Sequence, residues 1–271
     1  MTKSLRDQKI TEGSERSSGG KITSFIIFFA IATFGVLLPI PEGGARWLLA
    51  FPLIAICVYF YLRRLPLFGP SLFFTLAYLT RCLPFYSLGL MLIIPLSVYF
   101  FAMRVIPQIK EDRAFITRGH FSLRLLFGGL IITIISSAAL VAWYLLVKPN
   151  LLIYDEYFPK IEAYKLMVGG VAFALLNAFV EECIYRGVLW GTLGYFFKRW
   201  EGVLFFQAML FGAVHVFGVP NGIIGVLLAF MYGLMLGFLR YRAKGLFIPI
   251  LTHVMADITI FVIMLDILGR I

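Results

Sequence analysis

Apolar runs of about twenty residues recur along almost the whole chain, at about 22–40, 47–62, 65–80, 84–103, 122–147, 166–197, 202–217, 223–239 and 245–265. An α-helix needs about twenty apolar residues to cross the hydrocarbon core of a bilayer, so a series of such runs is the pattern of a polytopic membrane protein. Composition agrees: 61% of the 271 residues are apolar and 14% are charged. A soluble domain holds roughly 25% charged residues, enough to give each helix a wet face. Here no such faces remain. The sequence predicts an all-α, polytopic transmembrane helical bundle of eight or nine spans. The uncertain segment is 65–80, "LPLFGPSLFFTLAYLT", which is short and holds two prolines and a glycine.

Charge sets the orientation. The net charge of +10 could suggest nucleic acid in a soluble domain, but the Lys and Arg residues sit in connections between the apolar runs. No basic patch is interleaved with aromatic residues, so no nucleic-acid partner is expected. Basic clusters occupy the N-terminal tail, Arg63-Arg64, Arg104 to Arg118, Lys198-Arg199 and Arg240 to Lys244. If 65–80 spans, all five fall on one side, which the positive-inside rule assigns to the cytoplasm. The loop containing Asp155, Glu156 and Glu162 then lies outside. Residues 1–21 are polar and lack the apolar stretch of a signal peptide, so they read as a cytoplasmic tail. Residues 22–164 read as N-terminal transmembrane helices and 165–265 as a functional core. Cys57, Cys82 and Cys183 are isolated and read as buried thiols.

The segment "NAFVEECIYRGVLWG", residues 177 to 191, breaks the apolar pattern with Glu181, Glu182 and Arg186. Ionisable groups in hydrocarbon cost several kcal/mol unless paired, so each is a candidate functional residue. His215, His253 and Asp257 complete the set after residue 165. A rise of 1.5 Å per residue puts His215 about 20 Å into its helix and His253 and Asp257 about 12 and 18 Å into theirs. Glu181 lies about 25 Å from Lys198 by the same count. Residues on three helices thus reach similar depths and could share one polar cavity. Glu182 and Arg186 are spaced i, i+4 and can neutralise each other along one helix face. Glu181 has Tyr185 at that position, which leaves it as the spare carboxylate suited to a general base. His253 and Asp257 are also i, i+4, so the carboxylate can orient the ring. Phe211 stands one turn before His215 and walls its ring.

These residues resemble the motifs of the CPBP family, the CAAX proteases and bacteriocin-processing enzymes also called Abi. "EECIYR" is similar to its E-E-x-x-x-R, "FGAVH" to its F-x-x-x-H and "HVMAD" to its H-x-x-x-N/D. The resemblance covers about residues 165 to 265 and implies an intramembrane endopeptidase acting on a membrane-anchored protein or peptide. In the family's glutamate-type mechanism, Glu181 with His215 activates water, and His253 with Asp257 stabilises the oxyanion. Glu182, Arg186 and Phe211 support them. An ionised Asp cannot donate to an oxyanion as Asn can, so Asp257 is expected to act on His253. No cofactor is expected. Were zinc present, Glu181, His215 and His253 would be its ligands, although no H-E-x-x-H occurs. Two other classes compete: a proton-coupled transporter, which would show inverted repeats, and a non-catalytic immunity or scaffold protein. Uncleaved spans and compact size place the expected protein in a prokaryotic plasma membrane.

Overall fold

The computed structural model describes residues 23–27, 45–65, 67–83, 88–110 and 116–270. The tail at 1–21 and most of the run at 22–40 lie outside the described residues. All regular structure among the described residues is helical. The helices are α1 (Ala45–Leu62), α2 (Phe68–Arg81), α3 (Leu88–Val105), α4 (Leu123–Val147), α5 (Ala163–Phe196), α6 (Trp200–Val214), α7 (Gly222–Ala243) and α8 (Phe247–Ile267). The all-α, polytopic reading holds. Four of these, α4, α5, α7 and α8, are long and apolar enough to cross a membrane. Shorter apolar helices are Arg46–Leu62, Ile93–Val105 and Trp200–Val214. The segment in doubt forms α2, whose 14 residues extend about 21 Å, less than a bilayer core.

The chain divides into two compact units, Met1–Pro95 and Leu96–Ile271. In the first, α1 packs against α2. The Tyr78 hydroxyl donates to the Arg46 carbonyl at 2.8 Å, and Arg46 Nη1 donates to the Cys82 carbonyl at 3.2 Å. Cys57, Cys82 and Cys183 are all buried free thiols.

In the second unit α8 is the central post, touching α4, α5 and α7. Over its apolar window 56% is buried, against 17% for peripheral α4. Lipid tails are as apolar as Leu, so close backbone approach and interhelical hydrogen bonds replace the hydrophobic effect between membrane helices. Both devices are present. The Ser137 and Thr259 hydroxyls share a hydrogen bond of 2.8 Å between α4 and α8, and the Tyr144 hydroxyl donates to Asp266. Helix α7 meets α6 through Gly233, where a Cβ would stand 3.0 Å from Ala208 Cα, and through Gly237, where it would strike Leu204 and Gln207 at 2.5 Å.

A backbone strap joins two basic connections. His120 N–H donates to the Ala243 carbonyl at 2.7 Å, and Leu246 N–H to the Thr117 carbonyl at 2.8 Å. The contact is tight enough to need glycine on both sides: a Cβ on Gly119 or Gly245 would lie within 2.5 Å of the opposite backbone, and Gly119 has φ +79°. Arg118 and Lys244 therefore share one end of the bundle, as the charge pattern requires of them.

Candidate active site

The site is built from α5, α6, α7 and α8. Helix α5 stays α-helical through Glu182, winds as a π-helix from Cys183 to Leu189, and returns to α at Trp190. Single π turns inside α-helices are frequent at functional sites. All seven π residues are buried, so this is the best enclosed part of the helix. No residue type in "CIYRGVL" marks this winding in the sequence.

The predicted ion pair forms. Arg186 Nη1 donates to Glu182 Oε1 at 2.8 Å, with both side chains 0% exposed. Arg186 Nη2 reaches the Gly233 carbonyl at 3.4 Å, and the guanidinium lies 4.5 Å from the centre of the Phe211 ring. The Gly233 carbonyl also accepts from Gln207 Nε2 at 2.8 Å, and Arg240 Nε donates to the Arg186 carbonyl at 3.1 Å. Phe211 is thus the floor of the site: its ring also touches His215, at 4.8 Å between centroids, and His253, at 5.9 Å.

Glu182 carries a second contact that its i, i+4 spacing does not reveal. Its Oε1 accepts from His253 Nδ1 at 2.8 Å, linking α5 to α8. The opposite nitrogen, Nε2, faces Glu181 Oε2 at 3.7 Å and Asp257 Oδ1 at 3.6 Å. Those separations exceed a direct hydrogen bond, for which 2.7–3.2 Å is usual. Glu182 therefore orients the ring, the task expected of Asp257. Asp257 Oδ2 instead accepts from Asn177 Nδ2 at 3.1 Å. His253 and Asp257 are 4% and 9% exposed at the side chain, and Glu181, at 19%, is the most open of the carboxylates.

His215 closes α6 and begins a short 3₁₀ turn. Its Nδ1 is 2.8 Å from the Phe211 carbonyl. A carbonyl only accepts, so Nδ1 carries a proton, and in the neutral form of the ring Nε2 is the acceptor. The ring is within electrostatic reach of His253 and Asp257. Among the described residues, no three His, Cys, Asp or Glu side chains converge as a metal-binding group.

Asn177, Gln207 and Tyr232 escape a reading by charge, and Arg240, which that reading assigns to a basic cluster at a span end, is instead buried against the Arg186 carbonyl. Tyr232 packs edge-on to His253 at 5.5 Å and donates to the Thr252 carbonyl at 3.3 Å. Asn177 stands one turn before Glu181, and that spacing was the available signal.

Residues 163–259 match the family model described as type II CAAX prenyl endopeptidase Rce1-like. The match spans all three motifs and bears out the resemblance drawn from them. No curated protein and no solved structure matches the chain.

Proposed function

We propose, from the premise that residues 163–259 form a CAAX-type endopeptidase domain, that the protein is an intramembrane endopeptidase cleaving a membrane-anchored protein or peptide. The observation that carries this reading is the placement of His253, with Nδ1 held by Glu182 and Nε2 turned between Glu181 and Asp257. Glu181 is the general base that takes a proton from the attacking water. Neutral His215, with Nε2 as its acceptor, assists. The water oxygen adds to the scissile carbonyl, and the carbonyl electron pair moves onto oxygen. His253 donates to that oxyanion from Nε2 as an imidazolium, with the neighbouring carboxylates as countercharge. Collapse expels the amine, which takes the proton back from Glu181.

A zinc enzyme would need three protein ligands at about 2.0–2.2 Å from one ion and an open position for water. Glu181, His215 and His253 offer suitable donor types, but Glu181 would then serve as ligand or base and not both. The reading adopted is metal-independent catalysis in a prokaryotic plasma membrane.

The test is cleavage of a membrane-anchored peptide by the purified full chain in lipid. Glu181→Gln should lower turnover by at least about a thousandfold, at the upper end for loss of a general base, while thermal unfolding stays within a few degrees. Full activity in that variant would overturn the assignment, and a wild-type chain without cleavage would favour an immunity protein or transporter. Metal content by mass spectrometry, with 1,10-phenanthroline treatment and zinc re-addition, checks the metal-free step. Stoichiometric zinc and activity restored by zinc would replace Glu181 and His215 as water activators.

A further inference from the structure

Asn177 lies outside the three motifs, yet its amide faces the reacting groups. One N–H of Nδ2 donates to Asp257 Oδ2 at 3.1 Å, and the side chain stands one turn before Glu181, within electrostatic reach of its carboxylate. The chemistry around it makes this unusual. The side chains that approach the nitrogens of His253 are Glu182 at Nδ1 and Glu181 and Asp257 at Nε2, all carboxylates. An oxyanion formed there would be opposed by carboxylates and needs N–H or O–H donors about 2.7–3.1 Å away. Most nearby donors already have acceptors, although Arg186 Nε is buried without one. The Tyr232 hydroxyl donates to the Thr252 carbonyl, the Gln207 amide to the Leu204 and Gly233 carbonyls, and Arg186 to Glu182 and the Gly233 carbonyl. The Asn177 amide is held on one carboxylate of the reaction centre and stands beside the other.

We propose that Asn177 is a catalytic residue that supplies a neutral amide donor to the oxyanion, aimed by Asp257. A side-chain amide has two N–H bonds. The one on Asp257 fixes the plane of the group. The other is drawn toward Glu181 while that carboxylate is ionised. When Glu181 takes the proton from water it loses its charge, and the N–H is released to the oxygen that has just gained one. No bond to Asn177 forms or breaks, and the reaction remains peptide plus water giving acid plus amine. Asp257 then serves to hold an amide, which accounts for a carboxylate at a position where an ionised oxygen could not stabilise the intermediate.

This inference rests on the endopeptidase reading, and the experiment separates the two. Wild type, Asn177→Leu, Asp257→Asn and the double variant are assayed as full chains in lipid, with kcat and KM measured separately. Asn177→Leu should lower kcat about 100-fold, as loss of one oxyanion donor does, with KM changed by less than about threefold. Asp257→Asn brings its own amide to the same place and should keep kcat within about tenfold of wild type. In that background Asn177→Leu should cost at least about tenfold less than it does in the wild type, because the donor is already replaced. Equal losses in both backgrounds, a loss confined to KM, or no loss would overturn the role of Asn177. If Asn177→Leu does not insert, the near-isosteric Asn177→Asp replaces it: kcat should fall as far, and pairing it with Asp257→Asn should recover most of it. Should Glu181→Gln remain active, the parent reading fails; should it be inactive while Asn177→Leu is unaffected, only this inference does.

Discussion

The two halves of α5 are both mostly apolar in sequence and live in opposite surroundings. From 163 to 181 the helix turns large side chains outward: Tyr164, Val168, Phe173 and Leu175 are all more than half exposed. From 182 to 189 every residue is buried, including a charged pair. In a membrane protein the exposed half faces lipid, and apolar content therefore says nothing about which half is packed. The discriminating mark is where the charges stand. Glu182 and Arg186 survive because the enclosed half provides each with a partner, and no ionisable residue occurs between Lys165 and Glu181.

The comparison can be broken most severely at Glu182. Glu182→Gln leaves the Arg186 guanidinium buried without its countercharge, and breaking one side of a buried ion pair costs about 3–5 kcal/mol. The neutral amide also weakens the grip on His253 Nδ1. We expect lower purified yield and a large drop in unfolding temperature, with residual activity per folded molecule. Unchanged stability would mean that this half is wetter than its packing indicates.

A smaller effect is expected inside the exposed half, where Gly170 belongs to the inward-facing stripe with Leu166, Ala174 and Ala178. A Cβ there would lie 2.2–2.5 Å from the Phe261 ring of α8. Gly170→Ala should cost about 1–3 kcal/mol, the usual penalty for overpacking, read as a lower unfolding temperature with the active site intact. The smallest change belongs to the lipid-facing surface. Val168→Ala, at a residue 67% exposed, should shift stability by less than about 0.5 kcal/mol. If Val168→Ala cost as much as Gly170→Ala, a second protein surface would cover that face.

This contrast also explains what the sequence could convey. Glu181, Glu182, Arg186, His215, His253 and Asp257 were legible because a charge in an apolar run is expensive and must have a reason. The helices were legible for the same cause, since long apolar runs leave few other structures. Partner choice across helices was not legible. His253 and Asp257 fit an i, i+4 pair, yet the ring is held by Glu182 from 71 residues away, a contact that no local spacing encodes. Asn177 and Gln207 carry no formal charge, so they raised no comparable signal although both sit in the polar network.

The π winding at Cys183–Leu189 gives the helix a phase as well as a composition. A π turn holds one residue more than an α turn, so removing a single residue from it would restore regular winding and rotate the last turns of the helix by about 100°. Deleting one apolar residue, such as Val188, changes neither hydropathy nor any motif letter. It would nonetheless turn Trp190–Phe196 away from its present neighbours, while Glu182 and Arg186 keep their i, i+4 spacing. Residue count between Glu182 and Trp190 is therefore under the same constraint as residue identity, and homologous chains that keep this site should vary there in letters and not in length.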